Sequence, residues 1–340
     1  MFELDDKIVR KNILDLKPYS SARDEFSGDD GVFLDANENP FGKLNRYPDP
    51  HQRELKKKLS KIKSVPSENI FIGNGSDEVI DLTFRIFCNP GKDKALTFSP
   101  GYGMYEVSAQ VNDVGLIKVP LNNSFQIDFE VVEKYLNDKA LKLIFVCSPN
   151  NPTGNIIDNI ELLPKIFKGI VVIDEAYIDF SKADSFIIKI KEFPNLIVSQ
   201  TFSKAWGLAA SRVGTAYASA KIISLFNKVK HPYNVSGLNQ RAALKALENY
   251  FGFEKRKSII LKQKSWLEKQ LQSIPVVKKI YPSDANFILV EVTDADNVYS
   301  ELVNKKVIIR NRNHLVKNCI RITVGTPDEN KKLIKELSEL

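Results

Sequence analysis

The chain has 340 residues, of which 43% are apolar and 27% charged, and it carries a formal net charge of +7. That size suits roughly two domains with an extensive buried core, and the balance excludes a disordered or fibrous protein. The positive excess does not imply nucleic acid: its densest run, residues 55–61, sets lysines outward around Leu55, Leu59 and Ile62 at helical spacing, and no zinc-finger spacing or arginine-rich arm accompanies it.

Taken in chain order, the N-terminus lacks a basic segment leading into an apolar one, and residues 1–30 show neither helical nor strand period. They are expected to form an arm, in part joined to a smaller domain. Nearly continuous apolar runs follow at 95–98, 116–119, 143–147, 170–173, 196–198 and 213–218, alternating with segments that can form helices. Runs of that kind predict strands covered on both faces of a mostly parallel sheet, hence an α/β domain. Beyond Asn234, residues 238–271 read as one long helix, with short strands at 276–281, 286–290, 307–310 and 320–324 and helices at 295–304 and 328–340. The expected division is an arm (1–30), a large domain (31–234) and a small α+β domain (235–340).

No apolar run reaches the roughly 18 residues of a membrane span. Cys88, Cys147 and Cys319 lie far apart among apolar neighbours, which suits reduced thiols in a cytoplasmic protein. With three histidines in all, no metal site is expected.

Four motifs carry chemistry. Gly73-Asn74-Gly75-Ser76-Asp77-Glu78 joins an apolar run to a helical pattern, so the free backbone amides at the helix start can cradle an anion; a plain helix cap at Ser76 uses the same amides. Asn150-Asn151-Pro152-Thr153-Gly154 follows a strand end, where ligands gather, although Asn-Pro and Gly equally favour a turn. Asp174 closes an apolar run and should be desolvated, with Tyr177 three residues on; a helix cap and a packing wedge are their plainer accounts. Ser203-Lys204-Ala205-Trp206-Gly207-Leu208 follows the 196–198 run, with Thr201 before it and Arg212 beyond. A lysine amine can condense with an aldehyde and a fixed guanidinium can hold a phosphate, and pyridoxal phosphate carries both groups. The order of these motifs at successive strand ends counts for more than any one of them.

Together they resemble the fold type I, pyridoxal-phosphate-dependent aminotransferases, and within them the histidinol-phosphate aminotransferase branch. The resemblance also runs through Asp35-Ala36-Asn37-Glu38-Asn39-Pro40, Arg46-Tyr47-Pro48-Asp49, Tyr102-Gly103-Met104-Tyr105, Asn286-Phe287, Arg310 and Arg321-Ile322-Thr323-Val324-Gly325, covering almost the whole chain. It implies a seven-stranded-type, mostly parallel sheet plus a smaller α+β domain. Lys204 is similar to the lysine that carries the cofactor, Asp174 to the partner of the pyridine nitrogen, and Asn151 and Tyr177 to the partners of the phenolic oxygen. Tyr102 would stack on the ring, and Gly75, Ser76, Asp77, Thr201, Ser203 and Arg212 would surround the phosphate. Tyr47 would reach the cofactor of a second subunit, implying a homodimer. Arg321 resembles a carboxylate clamp, and Tyr19, Asn37, Tyr47 and Arg310 resemble the substrate end.

The implied reaction is transamination between L-histidinol phosphate and 2-oxoglutarate in histidine biosynthesis. An aromatic amino acid aminotransferase and a threonine-phosphate decarboxylase are the competing activities; a non-catalytic module is not expected, since the lysine and aspartate are intact. Gly101, Trp206 and Ala210-Ser211 depart from the family's usual threonine, phenylalanine and Gly-Leu. They alter packing near the ring and Arg212 and remove no reacting group.

Overall fold

Residues along the central strands alternate between two buried cores. In β4 (Leu141–Cys147), Ile144 and Val146 face one and Leu143 and Phe145 the other; in β5 (Ile170–Asp174), Val171 and Ile173 oppose Ile170 and Val172. With apolar layers on both faces, every strand position selects an apolar side chain, which produces the unbroken runs in the sequence. The computed structural model describes residues 4–19 and 30–340.

Five further strands complete this sheet: β1 (Ile70–Asn74), β2 (Lys94–Ser99), β3 (Gly115–Pro120), β6 (Leu196–Thr201) and β7 (Val213–Ala218), in the spatial order β1-β7-β6-β5-β4-β2-β3. Only β7 opposes its neighbours; the other pairings are parallel. Helices Ser76–Phe87 and Ala220–Val229 cover one face, where Leu4, Val9 and Ile13 of the N-terminal stretch also pack. Helices Arg53–Lys63 and Gly237–Glu248 contribute Leu55, Leu59, Ala243 and Leu247 to the other.

A second, antiparallel sheet is built from β8 (Val277–Ile280), β9 (Phe287–Val292), β10 (Arg310–Asn311) and β11 (Cys319–Thr323), ordered β10-β11-β9-β8. Helices Tyr250–Leu271, Ala295–Asn304 and Pro327–Ser338 bury Leu267, Leu271, Val298, Leu302, Leu333 and Leu337 against it. The last of these opens on a capping box, in which Thr326 Oγ1 accepts from the Glu329 amide at 3.3 Å and Glu329 Oε2 accepts from the Thr326 amide at 2.7 Å.

Three local expectations need correction. The long helix at 238–271 is two helices, broken at Asn249, whose side chain accepts from the Gly252 amide at 3.0 Å and caps the second. Residues 307–309 lie outside any strand, so of that run only Arg310 pairs with β11, joined there by Asn311. Lys56 is not on the solvated face of its helix: it is 8% exposed, and burial followed by the neighbouring Lys230 charge lowers its pKa to about 8.

The topology determines where chemistry can collect. Cys147 at the end of β4 pairs with Asp174 at the end of β5, and Asp174 pairs with Ser199 near the end of β6. The carboxyl ends of three parallel strands therefore open side by side.

Candidate active site

Asp174 anchors the site. It is 2% exposed, and its carboxylate accepts from the Tyr105 hydroxyl at 2.9 Å and the Ala176 amide at 3.1 Å. Burial pushes its pKa up to about 6, against the opposing pull of those two hydrogen bonds. The group stays mostly ionised near neutrality, in surroundings where an ion is costly unless a cationic partner is bound.

Beside it runs a relay from the smaller sheet. Arg321 Nη1 on β11 donates to Asn151 Oδ1 at 2.5 Å, and Asn151 Nδ2 donates to the Tyr177 hydroxyl at 3.2 Å. The Arg321 guanidinium lies 5.0 Å from the centre of the Phe287 ring, which in turn meets Tyr177 edge-on at 5.1 Å. Burial, then the charge of Arg321, lowers the pKa of the Lys204 amine, whose Nζ sits 5.6 Å from the centre of the Tyr177 ring. A lysine less basic than usual gives up its proton more readily than a solvated one, which suits a group that must exchange a proton with a substrate.

The opposite end of the site is an anion cradle. β1 gives way to Gly75 at φ +77°, where a Cβ would lie 2.6 Å from Arg212 Nη2, and the helix beginning at Ser76 has no side-chain cap. At Gly214 a Cβ would strike the Ser76 amide, so two glycines keep the approach open. Arg212 adopts φ +49° and places Nη2 2.9 Å from Asp77 Oδ2, while Tyr102 donates to Asp77 Oδ1 at 3.3 Å. Thr201 Oγ1 accepts from the Ser203 amide at 3.1 Å.

Between these groups lies a cavity of about 450 Å³. Ser76, Asp77, Tyr102, Thr201, Ser203 and Arg212 line it at the cradle end, and Asn151, Asp174, Tyr177, Lys204, Arg310 and Arg321 line the rest. Gly75 stands behind Arg212. Three residues expected near the substrate are not brought here within one chain. Tyr19 is 74% exposed, and Asn37 and Tyr47 line a separate concavity of about 750 Å³, where Tyr47 stacks on Tyr233 at 4.3 Å.

Two residues of the site have no role assigned from the sequence, although Tyr105 lies within the 102–105 segment that resembles the family. Tyr105 lies one helical turn from Tyr102, and nothing in the sequence marks it as the partner of Asp174, 69 positions away. Arg312 lines the cavity two residues after Arg310. Among the described residues, no cluster of acidic, histidine and cysteine side chains could hold a metal ion.

Pyridoxal phosphate fits this donor set. The glycine-opened amides and Arg212 suit its phosphate, and Lys204 its aldehyde. The buried carboxylate of Asp174 suits a protonated ring nitrogen, and Asn151 with Tyr177 suits its phenolic oxygen. Arg321 Nε, buried without a hydrogen-bond partner among the described residues, also leaves polar capacity at the cavity wall.

Residues 27–337 match the family model for aminotransferase class I and II, and the chain belongs to that family of pyridoxal-phosphate-dependent transaminases. More narrowly, it is 51% identical over 341 residues to the histidinol-phosphate aminotransferase of Cytophaga hutchinsonii, an alignment covering 98% of each chain. The solved histidinol-phosphate aminotransferase of Sinorhizobium meliloti, in complex with pyridoxal-5'-phosphate, superposes with a TM-score of 0.79 at 22% identity, covering 89% of each chain. The L-threonine-O-3-phosphate decarboxylase of Porphyromonas gingivalis superposes at 0.72 and 22% identity, covering 87% of this chain and 93% of that one. At such identities these structures establish the shared fold alone. No helix among the described residues is long and apolar enough to cross a membrane.

Proposed function

We propose that the chain transfers the amino group of L-histidinol phosphate to 2-oxoglutarate, yielding 3-(imidazol-4-yl)-2-oxopropyl phosphate and L-glutamate, a step of histidine biosynthesis. The observation that carries this reading is the cationic wall facing Lys204. Arg310 and Arg321 are direct partners across β10 and β11, and both line the cavity. A donor whose anion is a phosphate ester and a partner bearing two carboxylates can both use such a wall.

When bound, pyridoxal phosphate supplies an aldehyde that accepts amino groups and a ring that accepts electrons. Ser76, Asp77, Thr201, Ser203 and Arg212 would hold its phosphate, and Tyr102 would lie on its ring. Asp174, steadied by Tyr105, would face the ring nitrogen and keep a proton there. Asn151 and Tyr177 would face the phenolic oxygen, with Arg321 steadying Asn151 when no substrate is present. Lys204 Nζ would carry the proton to and from the substrate carbon that bears the amine. Arg321 would turn from Asn151 to the substrate anion, and Arg310 would meet a phosphate.

The site would be completed in a homodimer. Tyr47, with Asn37 beside it, lines the second concavity, and Val32, Leu34, Phe41 and Leu44 on the same stretch are each at least 67% exposed. An apolar segment of that kind supports burial against a second copy, with Tyr47 reaching that copy's cavity. The same reading divides the chain into an arm (1–30), a cofactor-binding body (31–234) and a smaller body (235–340) that brings Arg310 and Arg321 to the site. The free, buried Cys88, Cys147 and Cys319 support a reducing, cytoplasmic location.

A donor panel with 2-oxoglutarate tests the reading. Histidinol phosphate should exceed phenylalanine, tyrosine and threonine phosphate in kcat/KM by at least about tenfold, equivalent to about 1.4 kcal/mol. Preference for an aromatic amino acid would reassign the substrate, and carbon dioxide release from threonine phosphate alone would reassign the reaction.

A further inference from the structure

We infer that Arg312 is a third anion-binding arm of the substrate site, one that selects a phosphate monoester dianion over a carboxylate. The inference deepens the reading above and rests on it for the identity of the phosphate-bearing substrate.

Arg312 leaves the end of β10 and lines the same cavity as Arg310 and Arg321. It also lines an adjoining cavity of about 520 Å³ beyond Tyr102 and Asn151, so it stands in the wall between the two. Its Nε is buried and has no hydrogen-bond partner among the described residues. Burial, and then the charges of Arg321 and Arg310, bring its pKa down to about 10, so the side chain remains a cation at neutral pH. Among the described residues no carboxylate forms an ion pair with Arg310, Arg312 or Arg321, whereas Arg212 has Asp77.

The backbone around Arg312 is held in place. Asp296 accepts from Asn311 Nδ2 at 2.6 Å and from Asn313 Nδ2 at 2.8 Å, and Asn313 Oδ1 accepts from the Asn318 amide at 2.8 Å. The Arg312 amide donates to Cys319 O at 2.9 Å. So tightly tied a turn fixes the backbone from which the Arg312 side chain extends, which lowers part of the ordering cost of binding. A carboxylate brings two oxygens and one charge. A phosphate monoester brings three terminal oxygens and about −1.5 to −2 charges at pH 7. The fork of one arginine satisfies the first ligand and leaves the second short of both donors and charge. Arg310 and Arg321 together balance the charge of the dianion, and Arg312 adds the donors that its third terminal oxygen still lacks.

The test is calorimetric titration of the cofactor-loaded enzyme with methyl phosphate and with propionate, comparing wild type with Arg312→Gln. Methyl phosphate affinity should fall about tenfold in the variant and propionate affinity by less than about twofold. The wild-type gain in methyl phosphate affinity as pH rises through the ester's second pKa, about 6, should flatten in the variant. Equal losses for both ligands, or no loss for methyl phosphate, would overturn the inference. A wild-type enzyme that transaminates histidinol phosphate yet binds methyl phosphate no better than propionate would overturn it too, leaving the transaminase reading intact. Conversely, an inactive enzyme with the expected ligand selectivity would remove the substrate and keep the role of Arg312.

Discussion

The hydroxyl of Tyr105 donates to Asp174 at 2.9 Å, and both side chains are almost wholly buried, at 1% and 2% exposure. Tyr105 also stacks on Phe145 at 5.0 Å, so its ring is fixed and the hydroxyl aims at the carboxylate without ordering cost at the moment of reaction. Tyr105→Phe keeps the ring and removes the donor. A hydrogen bond to a charged group contributes about 1.5–3 kcal/mol. Losing it should raise the Asp174 pKa and move the acidic limb of the kcat/KM profile up by roughly one pH unit. An unmoved limb would show that Tyr105 only fills space.

Asp174 and Glu175 give the cofactor-free protein an unusual pH dependence. Burial raises Asp174 from 3.8 to about 6 and Glu175 from 4.5 to about 7, the latter despite hydrogen bonds from Ser185, the Phe186 amide and Gln200. Between about pH 4 and 7 the native chain therefore binds more protons than the unfolded chain, so these two groups make stability fall as pH rises through that window. Asp174→Asn should raise the stability of the cofactor-free protein at pH 8 by on the order of 2 kcal/mol, with the gain vanishing near pH 4. Urea midpoints at the two pH values measure it. In the loaded enzyme the same substitution should cut turnover by about a hundredfold or more, because a neutral amide cannot hold the ring's cation. The opposite signs separate a functional carboxylate from a structural one.

The reasons some of this was legible in the sequence, and some was not, lie in contact range. Strand runs such as 143–147 are legible because both faces are buried, and Asp174 is legible because a carboxylate interrupts such a run. Lys204 and Arg212 sit on one short stretch after β6, so spacing alone brings them together. Asn249 reads as a helical residue until its side chain is seen capping the next helix. Lys56 follows the helical period of a solvated run, and only its position near Lys230 and Asp49 shows it to be inside. Tyr105 meets Asp174, and Arg312 reaches the cavity wall, through tertiary packing that no local pattern encodes.

At the cradle, Gly75 and Arg212 should respond together. A side chain at Gly75 would face both φ +77° and a contact of 2.6 Å with Arg212 Nη2. Gly75→Ala should therefore displace the guanidinium and weaken cofactor retention at least about tenfold, with a stability loss of about 1 kcal/mol or more from the left-handed backbone. Arg212→Lys should weaken retention to a similar extent while leaving stability near wild type, since an ammonium lacks the planar fork that meets a phosphate. Equilibrium dialysis against pyridoxal phosphate reads both, and unchanged affinity in the lysine variant would remove Arg212 from the phosphate site.

Tyr47 separates a shared site from a self-contained one. It lies outside the cavity of its own chain, stacked on Tyr233. If it serves the cavity of a second copy, Tyr47→Ala and Lys204→Ala damage different sites of a mixed dimer: one cavity carries both defects and the other carries neither. Random mixing of the two variants in equal amounts makes half the dimers mixed, each with one intact site, so activity should recover to about a quarter of wild type. Lys204→Ala alone should be inactive and Tyr47→Ala alone weakened in cofactor retention, so activity above the average of the two comes from the intact sites of mixed dimers. Activity that stays at the average of the two separate variants would place Tyr47 in the service of its own chain.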